Sequence, residues 1–265
     1  YGMLGLKTHC KVALVVRREP GGIRRYVHLG TGNYNEKTAT IYSDLSLFTA
    51  RAEVGEDVAA LFNLLTGYAA PPDWQRLTVA PLGMRAHLLE RIGHAARAAG
   101  DGHSARLVIK TNALVDEAII RALVSARASG VEVTLLVRGP CTLEPRDGIV
   151  VRNVVDRFLE HSRLFYSRIG GEEEVLMTST DMMPRNFDTR VEVMLPVEDP
   201  SLKRRIVDEI LGFELRDDTK AAEMDASGRF IRVPRRAGFR AQEAFMRKAR
   251  ERAAHRGEEE GAVRR

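Results

Sequence analysis

Residues 7–16 of the chain read KTHCKVALVV, and a related pattern returns at residues 158–167 as FLEHSRLFYS. In both stretches a histidine and a cation stand two positions apart, immediately before an apolar run that predicts a buried strand. Side chains two positions apart in an extended segment point to the same side of it, so His9 shares a face with Lys11. One such pair could simply cap a strand, whereas two of them indicate a functional site with two similar sets of residues.

The similarity continues beyond the two histidines. Each half of the chain next contains a strand, a glycine turn, a second strand, a turn of small residues, an asparagine followed by an aromatic residue, a third strand and a helix. Asn33 follows the first histidine by 24 residues, and Asn186 follows His161 by 25 residues. This internal repeat predicts two α/β units of similar design, with Arg163 as the cation of the second.

The second half also contains a strand, a helix and a strand in succession, at residues 107–110, 115–128 and 131–137. This order predicts a βαβ unit, and hence a parallel pair of strands within sheets that are otherwise mixed. Asn112 and Arg138 then stand at the carboxyl ends of the two strands, the edge at which open α/β sheets bind ligands. In this position Arg138 is either an anion contact or a solvated arginine in a turn.

A break in the pattern at residues 67–73, which read GYAAPPD, divides the chain. Its glycine and prolines end the preceding helix. We therefore expect a first unit at residues 1–73, a second at residues 74–235 and a charged tail at residues 236–265, which is a solvated helix or a basic docking segment. Because the first unit begins a few residues before its histidine, with Tyr rather than Met at the first position, we expect it to be truncated at its amino terminus.

The composition indicates a folded protein with a modest preference for anions. The net charge is +5, which favours anionic partners without requiring nucleic acid, and we expect no nucleic-acid partner. Cys10 and Cys141 lie far apart and indicate neither a disulfide framework nor a zinc site. The longest uncharged stretch, residues 58–72, is too short to cross a bilayer. We expect a cytoplasmic location and no transmembrane segment, with attachment to a membrane surface left open.

The repeated groups suit phosphoryl transfer. A neutral histidine nitrogen can attack phosphorus and form a phosphoramidate, which divides one difficult transfer into two easier ones. Cations and amide or hydroxyl donors are then needed to bind the phosphoryl oxygens, where charge gathers in the transition state. One histidine would be the nucleophile, and the other would bind phosphate or carry a proton. The two sets are His9, Lys11, Thr31 and Asn33 in the first half, and His161, Arg163, Ser179 and Asn186 in the second.

Longer strings around these residues resemble a known family. They are similar to the carboxyl-terminal catalytic half of the bacterial polyphosphate kinases, within the phospholipase D superfamily. The resemblance covers about residues 1–235. The strings that carry it are residues 7–11, 25–35, 41–44, 136–139 and 158–163.

The resemblance implies two phospholipase D-like α/β units and a kinase that reversibly moves the terminal phosphoryl group of ATP to polyphosphate through a phosphohistidine. His9 matches the phosphorylated histidine of the family. The family's nucleotide-contacting positions match Tyr42, Arg138 and His161. Magnesium is an expected cofactor, although the family's metal-linked arginines lie upstream of His9, so no metal ligand is expected in this chain. The complete protein is expected to be a homo-oligomer that uses ATP, ADP and inorganic polyphosphate.

Two other functions fit the same residues. A phosphodiesterase of the phospholipase D type would use the paired motifs to hydrolyse a diester without ATP. A noncatalytic module would bind a polyanion without turning it over. Since a truncated first unit leaves sheet edges and apolar surface uncovered, we expect the isolated chain to be inactive as a kinase.

Overall fold

The computed structural model describes residues 2–67, 70–145 and 148–263. The strands are β1 (Lys7–Thr8), β2 (Lys11–Glu19), β3 (Gly22–Gly30), β4 (Tyr42–Ser43), β5 (Ser46–Thr49), β6 (Thr78–Ala80), β7 (Ala105–Thr111), β8 (Glu132–Val137), β9 (Ile149–Val154), β10 (Leu159–Glu160), β11 (Leu164–Ile169), β12 (Glu172–Thr178), β13 (Arg190–Pro196), β14 (Ala221–Met224) and β15 (Phe230–Arg232). The helices are α1 (Glu36–Ala39), α2 (Ala52–Leu65), α3 (Met84–Gly100), α4 (Glu117–Ala128), α5 (Pro184–Asp188), α6 (Pro200–Arg205), α7 (Gly212–Arg216) and α8 (Ala241–Val263), and a π-helical segment, Ile206–Leu211, joins α6 to α7.

Most of the strands form one large mixed sheet. Its order is β1-β13-β12-β11-β7-β8-β9-β14-β15, and β6 adds to β13. The β1–β13, β7–β8 and β8–β9 pairs are parallel, whereas hairpins such as β11–β12 are antiparallel. The predicted βαβ unit is therefore confirmed. Its helix, α4, begins at Asp116, whose side chain accepts a hydrogen bond from the N–H of Ile119.

Residues 2–67 contain a smaller sheet that resembles part of the large one. Strands β2 and β3 form the predicted hairpin, with Lys11 opposite Gly30, and β5 pairs antiparallel with β3. In the large sheet, β11, β12 and β13 follow one another in the same antiparallel order, with α5 in the position of α1. The repeat in the sequence thus corresponds to a repeated three-stranded antiparallel unit.

The large sheet is covered by apolar side chains on both faces. Alternate residues of β7 point to opposite sides, so Leu107 and Ile109 pack with α3 and α4, while Val108 packs toward the smaller sheet. On this second side, Leu29 of β3 and Leu61 of α2 share one buried cluster with the large sheet. The two parts of the chain therefore share a hydrophobic core.

The third strand predicted for the first half of the chain is divided into two short strands, β4 and β5. Leu45 turns toward the preceding glycine-rich turn, where its N–H donates a hydrogen bond to Thr31 Oγ1 at 2.9 Å and not to a neighbouring strand. As a result β4 pairs with β10, while β5 pairs with β3. The sequence also gave no indication of the short strands β6, β14 and β15.

The predicted boundary at residues 67–73 includes Tyr68 and Ala69, which lie outside the described residues, as do residues 264 and 265 of the tail. Placement of the boundary after residue 73 stays a prediction, and two strand pairs, β1–β13 and β4–β10, connect the parts on either side. Among the helices that the structure describes, none combines the length and apolar character needed to cross a bilayer.

The charged tail is not solvated at its start, contrary to the prediction. Ala241 and Ala244, in the first turn of α8, are buried. The ring of Phe245 lies 5.2 Å from that of Phe213 in α7. Apolar contacts thus hold the start of α8 against α7. They are hard to recognise in the sequence because most of the neighbouring residues are charged.

Candidate active site

The first histidine motif is held against the large sheet by β1. The N–H groups of His9 and Cys10 both donate to the carbonyl of Val191 in β13, at 3.0 Å. His9 therefore lies beside Glu192, with 2.7 Å between His9 Nδ1 and Glu192 Oε1. The Glu192 side chain is fully buried, whereas 21% of the His9 side chain is exposed. The carboxylate thus supports a histidine that a ligand can reach.

Glu192 accepts hydrogen bonds from several groups. Besides His9, the hydroxyl of Ser179 donates to its Oε2 at 2.5 Å, and the amide of Asn186 donates to its Oε1 at 3.2 Å. Because a carboxylate can only accept, the His9 proton sits on Nδ1. In this tautomer of the neutral ring the lone pair of Nε2 is free, which is the form in which histidine acts as a nucleophile.

The second histidine motif is held by the short parallel pair β4–β10. The N–H of His161 donates to the carbonyl of Ser43 at 2.7 Å. This pairing places the ring of His161 against that of Tyr42, with centroids 4.5 Å apart. Since β4 belongs to the first part of the chain and β10 to the second, the site is formed by both.

Arg163 connects the two motifs. Its Nε donates to Asp181 Oδ1 at 2.8 Å, and its Nη1 donates to the carbonyl of Thr31 at 3.1 Å. The guanidinium also lies beside the ring of His161, with nitrogen–nitrogen distances of 3.3 and 3.4 Å. The glycine-rich turn around Thr31 is thereby joined to the second histidine.

Arg138 lies at the carboxyl edge of the parallel strands, as predicted. Its Nε donates to the carbonyl of Glu160 at 2.9 Å and to Asn112 Oδ1 at 3.2 Å. Asn112 is buried, and its Nδ2 has no hydrogen-bond partner among the described residues. This amide nitrogen is therefore a buried, unpaired donor beside Arg138.

The closely spaced cations alter one another's protonation. Burial, with the positive charge of Arg163, lowers the pKa of His161 to about 3, and Lys11 and Arg138 contribute to the shift. Burial also lowers the pKa of Lys11 to about 8. His161 is therefore neutral at pH 7 before a ligand binds. A bound polyanion would raise both pKa values, because it stabilises the charged forms.

Two sequence models of known families match the chain. The one described as polyphosphate kinase C-terminal domain 1 matches residues 1–71, and the one described as polyphosphate kinase C-terminal domain 2 matches residues 77–242. This chain belongs to the polyphosphate kinase family.

Individual members of the polyphosphate kinase family show the same relationship. The polyphosphate kinase of Synechocystis sp. is 49% identical over 236 residues, which cover 87% of this chain and 32% of the relative. That of Mycolicibacterium gilvum is 46% identical over 239 residues, which cover 88% of this chain and 32% of the relative. The crystal structure of the polyphosphate kinase from Porphyromonas gingivalis matches with a TM-score of 0.89 at 39% identity, over 95% of this chain and 40% of that one. The chain thus spans about a third of the curated polyphosphate kinases that it matches.

Most of the predicted site residues lie together, but the two asparagines differ. Asn186 is fully buried, and its Nδ2 donates to Glu192 Oε1, while its Oδ1 has no hydrogen-bond partner among the described residues. Asn33 is exposed after β3, and its side chain makes no hydrogen bond to any described residue. Their roles as phosphate ligands stay predictions. The residues that the structure brings together are His9, Lys11, Tyr42, Arg138, His161 and Arg163.

Glu192 and Asp181 were not predicted from the sequence. A signal was available for Glu192, because it interrupts the apolar run of β13, and a charge is costly to bury unless it is partnered. Asp181 follows the small-residue turn after β12, where an acidic residue is common in any turn. Its pairing with Arg163 depends on the fold.

The carboxylates at the site do not form a metal centre. In the described parts of the chain, no group of three or more His, Cys, Asp or Glu side chains is arranged to hold a metal ion. Asp181 and Glu192 are engaged by Arg163 and His9. The residues present therefore do not fit a magnesium ion bound by this chain.

Proposed function

We propose that this chain carries the phosphoryl-transfer site of a polyphosphate kinase, in which His9 passes the terminal phosphoryl group of ATP to inorganic polyphosphate. The observation that carries the proposal is the contact of 2.7 Å between His9 and Glu192, which leaves Nε2 free beside a cluster of cations. The names of the relatives support these substrates, and the full activity requires the complete protein.

The reaction takes place in two steps. In the first, His9 Nε2 attacks the terminal phosphorus of ATP, an N–P bond forms, and the bond to the bridging oxygen breaks with its electron pair leaving on ADP. In the second, a terminal oxygen of polyphosphate attacks the phosphohistidine, a P–O bond forms, and the electron pair of the N–P bond returns to Nε2. Since each step replaces one bond to phosphorus with another, the same residues catalyse the reverse reaction.

The cations and Glu192 stabilise the charges that develop. Lys11, Arg138 and Arg163 bind the oxygens of the transferring group, where negative charge is concentrated. When Nε2 becomes bonded to phosphorus, the imidazole becomes positive. The hydrogen bond from Nδ1 to Glu192 then stabilises the intermediate, as a buried carboxylate does for the histidine of a hydrolase triad.

Tyr42 and His161 act together on the nucleotide. The two rings contact each other at an angle of 40° and border the site, so we assign the pair to holding ATP. His161 enters the reaction as a neutral group because its pKa lies at about 3 in the ligand-free protein. As the bound phosphates raise this pKa, His161 can hold a proton and share it with the oxygen that leaves on ADP.

Magnesium would accompany ATP on its phosphate oxygens, where it neutralises part of the charge. Placing magnesium on ATP is consistent with the contacts of Asp181 and Glu192, which are engaged by Arg163 and His9. Binding of the substrate phosphates themselves falls to Lys11, Arg138 and Arg163.

Steady-state kinetics of the complete protein test the proposal. Release of ADP from ATP should require added polyphosphate, and His9→Ala should lower the rate by at least about 10³-fold, since a lost nucleophile removes both steps. His94→Ala removes an exposed histidine of α3 and should retain the wild-type rate. A His9→Ala protein with the wild-type rate would overturn the proposal.

The same preparation can be assayed for the two alternative functions. A phosphodiesterase would hydrolyse bis(p-nitrophenyl) phosphate without ATP. A noncatalytic module would retain polyphosphate on a filter without forming ADP. Either activity from a wild-type protein that forms no ADP would replace the proposed function.

A further inference from the structure

The short strand that precedes His161 pairs with a neighbouring strand along one edge only. Strand β10 contains two residues, and β4 pairs with one of its edges. Along this edge the N–H of Leu159 donates to the carbonyl of Ile41 at 2.9 Å. The other edge of the segment needs a different partner, because unpaired buried backbone groups are costly.

Gln242, in the first turn of α8, satisfies this other edge. The N–H of Phe158 donates to Gln242 Oε1 at 2.8 Å, and Gln242 Nε2 donates to the carbonyl of Phe158 at 2.8 Å. One side-chain amide thus makes the paired hydrogen bonds that a neighbouring strand would make. Gln242 is 2% exposed, so water does not compete for these groups.

Gln242 also contacts the residue that precedes His161. Its Nε2 donates to Glu160 Oε1 at 2.8 Å, while Lys110 Nζ donates to Glu160 Oε2 at 2.9 Å. The backbone carbonyl of Glu160 in turn accepts the hydrogen bond from Arg138. Glu160 therefore connects α8 with His161, its neighbour in the chain, and with Arg138.

The position of Gln242 is itself fixed. The N–H of Ala241 donates to Asp217 Oδ2 at 2.7 Å. Arg240 makes a two-pronged contact with Asp156, at 2.8 Å from Nε and 2.7 Å from Nη2. Because these contacts fix the start of α8, the hydrogen bonds of Gln242 can restrain the backbone at Phe158.

We propose that Gln242 is a positioning residue, which holds the Phe158–Glu160 backbone so that His161 and Arg138 are aligned on the substrate phosphates. This role rests on the proposed function, since alignment matters only if these two groups act on ATP. The first turn of α8 thereby contributes to the alignment of the catalytic groups.

Charged groups from every neighbouring element surround this contact. They are Lys110 in β7, Arg138 after β8, Asp156 before β10, Glu214 in α7, Asp217 after α7, Arg240 and Glu243 at the start of α8, and, around the adjoining cavity, Asp44, Arg205, Glu209, Lys248 and Arg252. Lys110 contacts both Glu160 and Glu214. A second carboxyl group placed at Gln242 would lie next to that of Glu160 and would have a raised pKa, because burial and a like charge both favour its neutral form.

Two substitutions of Gln242 in the complete protein test the proposal. Gln242→Met keeps the length of the side chain and removes every hydrogen bond, so kcat should fall between about tenfold and about 10²-fold at all pH values, by more than KM for ATP rises. Gln242→Glu can donate while it is protonated and repels Glu160 when it is ionised. Its kcat relative to wild type should therefore fall at least about tenfold as the pH rises from about 6 to about 8.5.

A matched control and a measurement without substrate complete the experiment. Arg247→Ala, an exposed position in α8, should leave kcat and its pH profile unchanged. Hydrogen–deuterium exchange of the ligand-free protein should show faster exchange of the Phe158 amide in Gln242→Met than in wild type. A Gln242→Met protein with wild-type kcat, or a Gln242→Glu protein whose loss is equal at every pH, would overturn the positioning role. An inactive wild type would instead contradict the proposed function.

Discussion

At the scale of single residues, the decisive contact joins His9 to Glu192. The two motifs around the histidines were visible in the sequence, because each combines a histidine, a cation and an apolar strand. Their charged partners were not, because the pairing of β1 with β13 brings together residues that are 183 positions apart. Sequence reasoning thus named the groups that the structure brings together and missed the carboxylate that lies beside one of them.

Replacing Glu192 should impair catalysis more than binding. Glu192→Gln removes the charge opposite His9 and lets the amide donate to Nδ1, which favours the wrong tautomer. We expect kcat to fall by at least about 10²-fold, with a smaller change in KM for ATP. Glu132→Gln, at a side chain that is 61% exposed, provides the control. Equal kcat values for Glu192→Gln and wild type would show that this carboxylate does not orient the nucleophile.

Lys11 should make ATP binding depend on pH. The pKa of Lys11 is lowered to about 8, so the ligand-free side chain is cationic below this pH and becomes neutral above it. We expect the affinity for ATP to weaken several-fold between about pH 7 and about pH 9. In Lys11→Arg, which stays charged over this range, the dependence should be flatter. Calorimetric titrations at each pH provide the measurement, and the same slope in both proteins would contradict the assignment.

At the scale of elements, the turn between β3 and α1 determines where Tyr42 lies. Gly32 packs directly against Asp44, and a Cβ atom at this position would lie 1.4 Å from Asp44 Oδ2 and 2.9 Å from its Cβ. From the sequence, Thr31 and Asn33 of this turn are expected to bind phosphoryl oxygens. The structure adds a steric reason for glycine, which depends on β4 folding back against the turn and could not be seen in the sequence.

The Gly32→Ala substitution should move β4 and weaken nucleotide binding. Relief of the contact with Asp44 requires a shift near Tyr42, so we expect a several-fold rise in KM for ATP and a loss of about 1–3 kcal/mol in the free energy of unfolding. Gly21→Ala serves as the control, because no atom lies within 4 Å of its added Cβ. Identical KM values for the two variants would refute this view of the turn.

The elements themselves were predictable to different degrees. The hairpins and the βαβ unit carry strong periodic patterns with glycine turns between them, and these were confirmed. Strands of two to four residues, such as β6 and β14, are too short to show a period. The start of α8 was misjudged because its few apolar contacts, such as Phe245 on Phe213, lie within a densely charged sequence.

At the scale of the whole molecule, the two parts of the chain share a hydrophobic cluster and both contribute to the candidate active site. Leu61 of α2 is buried in the same cluster as residues of β11 and β13, and β1 completes the edge of the large sheet. The sequence indicated two units through its repeat and its proline-rich break. It could not show that the units would share a core, because that contact follows from tertiary packing.

Residues 1–265 should consequently unfold in one transition. Trp74 packs against the shared cluster, so its fluorescence and the far-ultraviolet circular dichroism should report the same midpoint. Leu61→Ala should lower stability by about 2–5 kcal/mol by both probes. Phe62→Ala, at an exposed position of the same helix, should have a much smaller effect. Separate transitions for the two probes would contradict a shared core.

In the proposed reaction, His9 carries the phosphoryl group between the two substrates. The most direct measurement incubates the complete protein with ATP labelled in its terminal phosphoryl group, without polyphosphate, and locates the label by peptide mapping. We predict an acid-labile, alkali-stable label on the peptide that contains His9, its absence from His9→Ala, and its release when polyphosphate is added. A normal amount of label on His9→Ala, or a label found on His161 instead, would show that His9 is not the residue that carries the phosphoryl group.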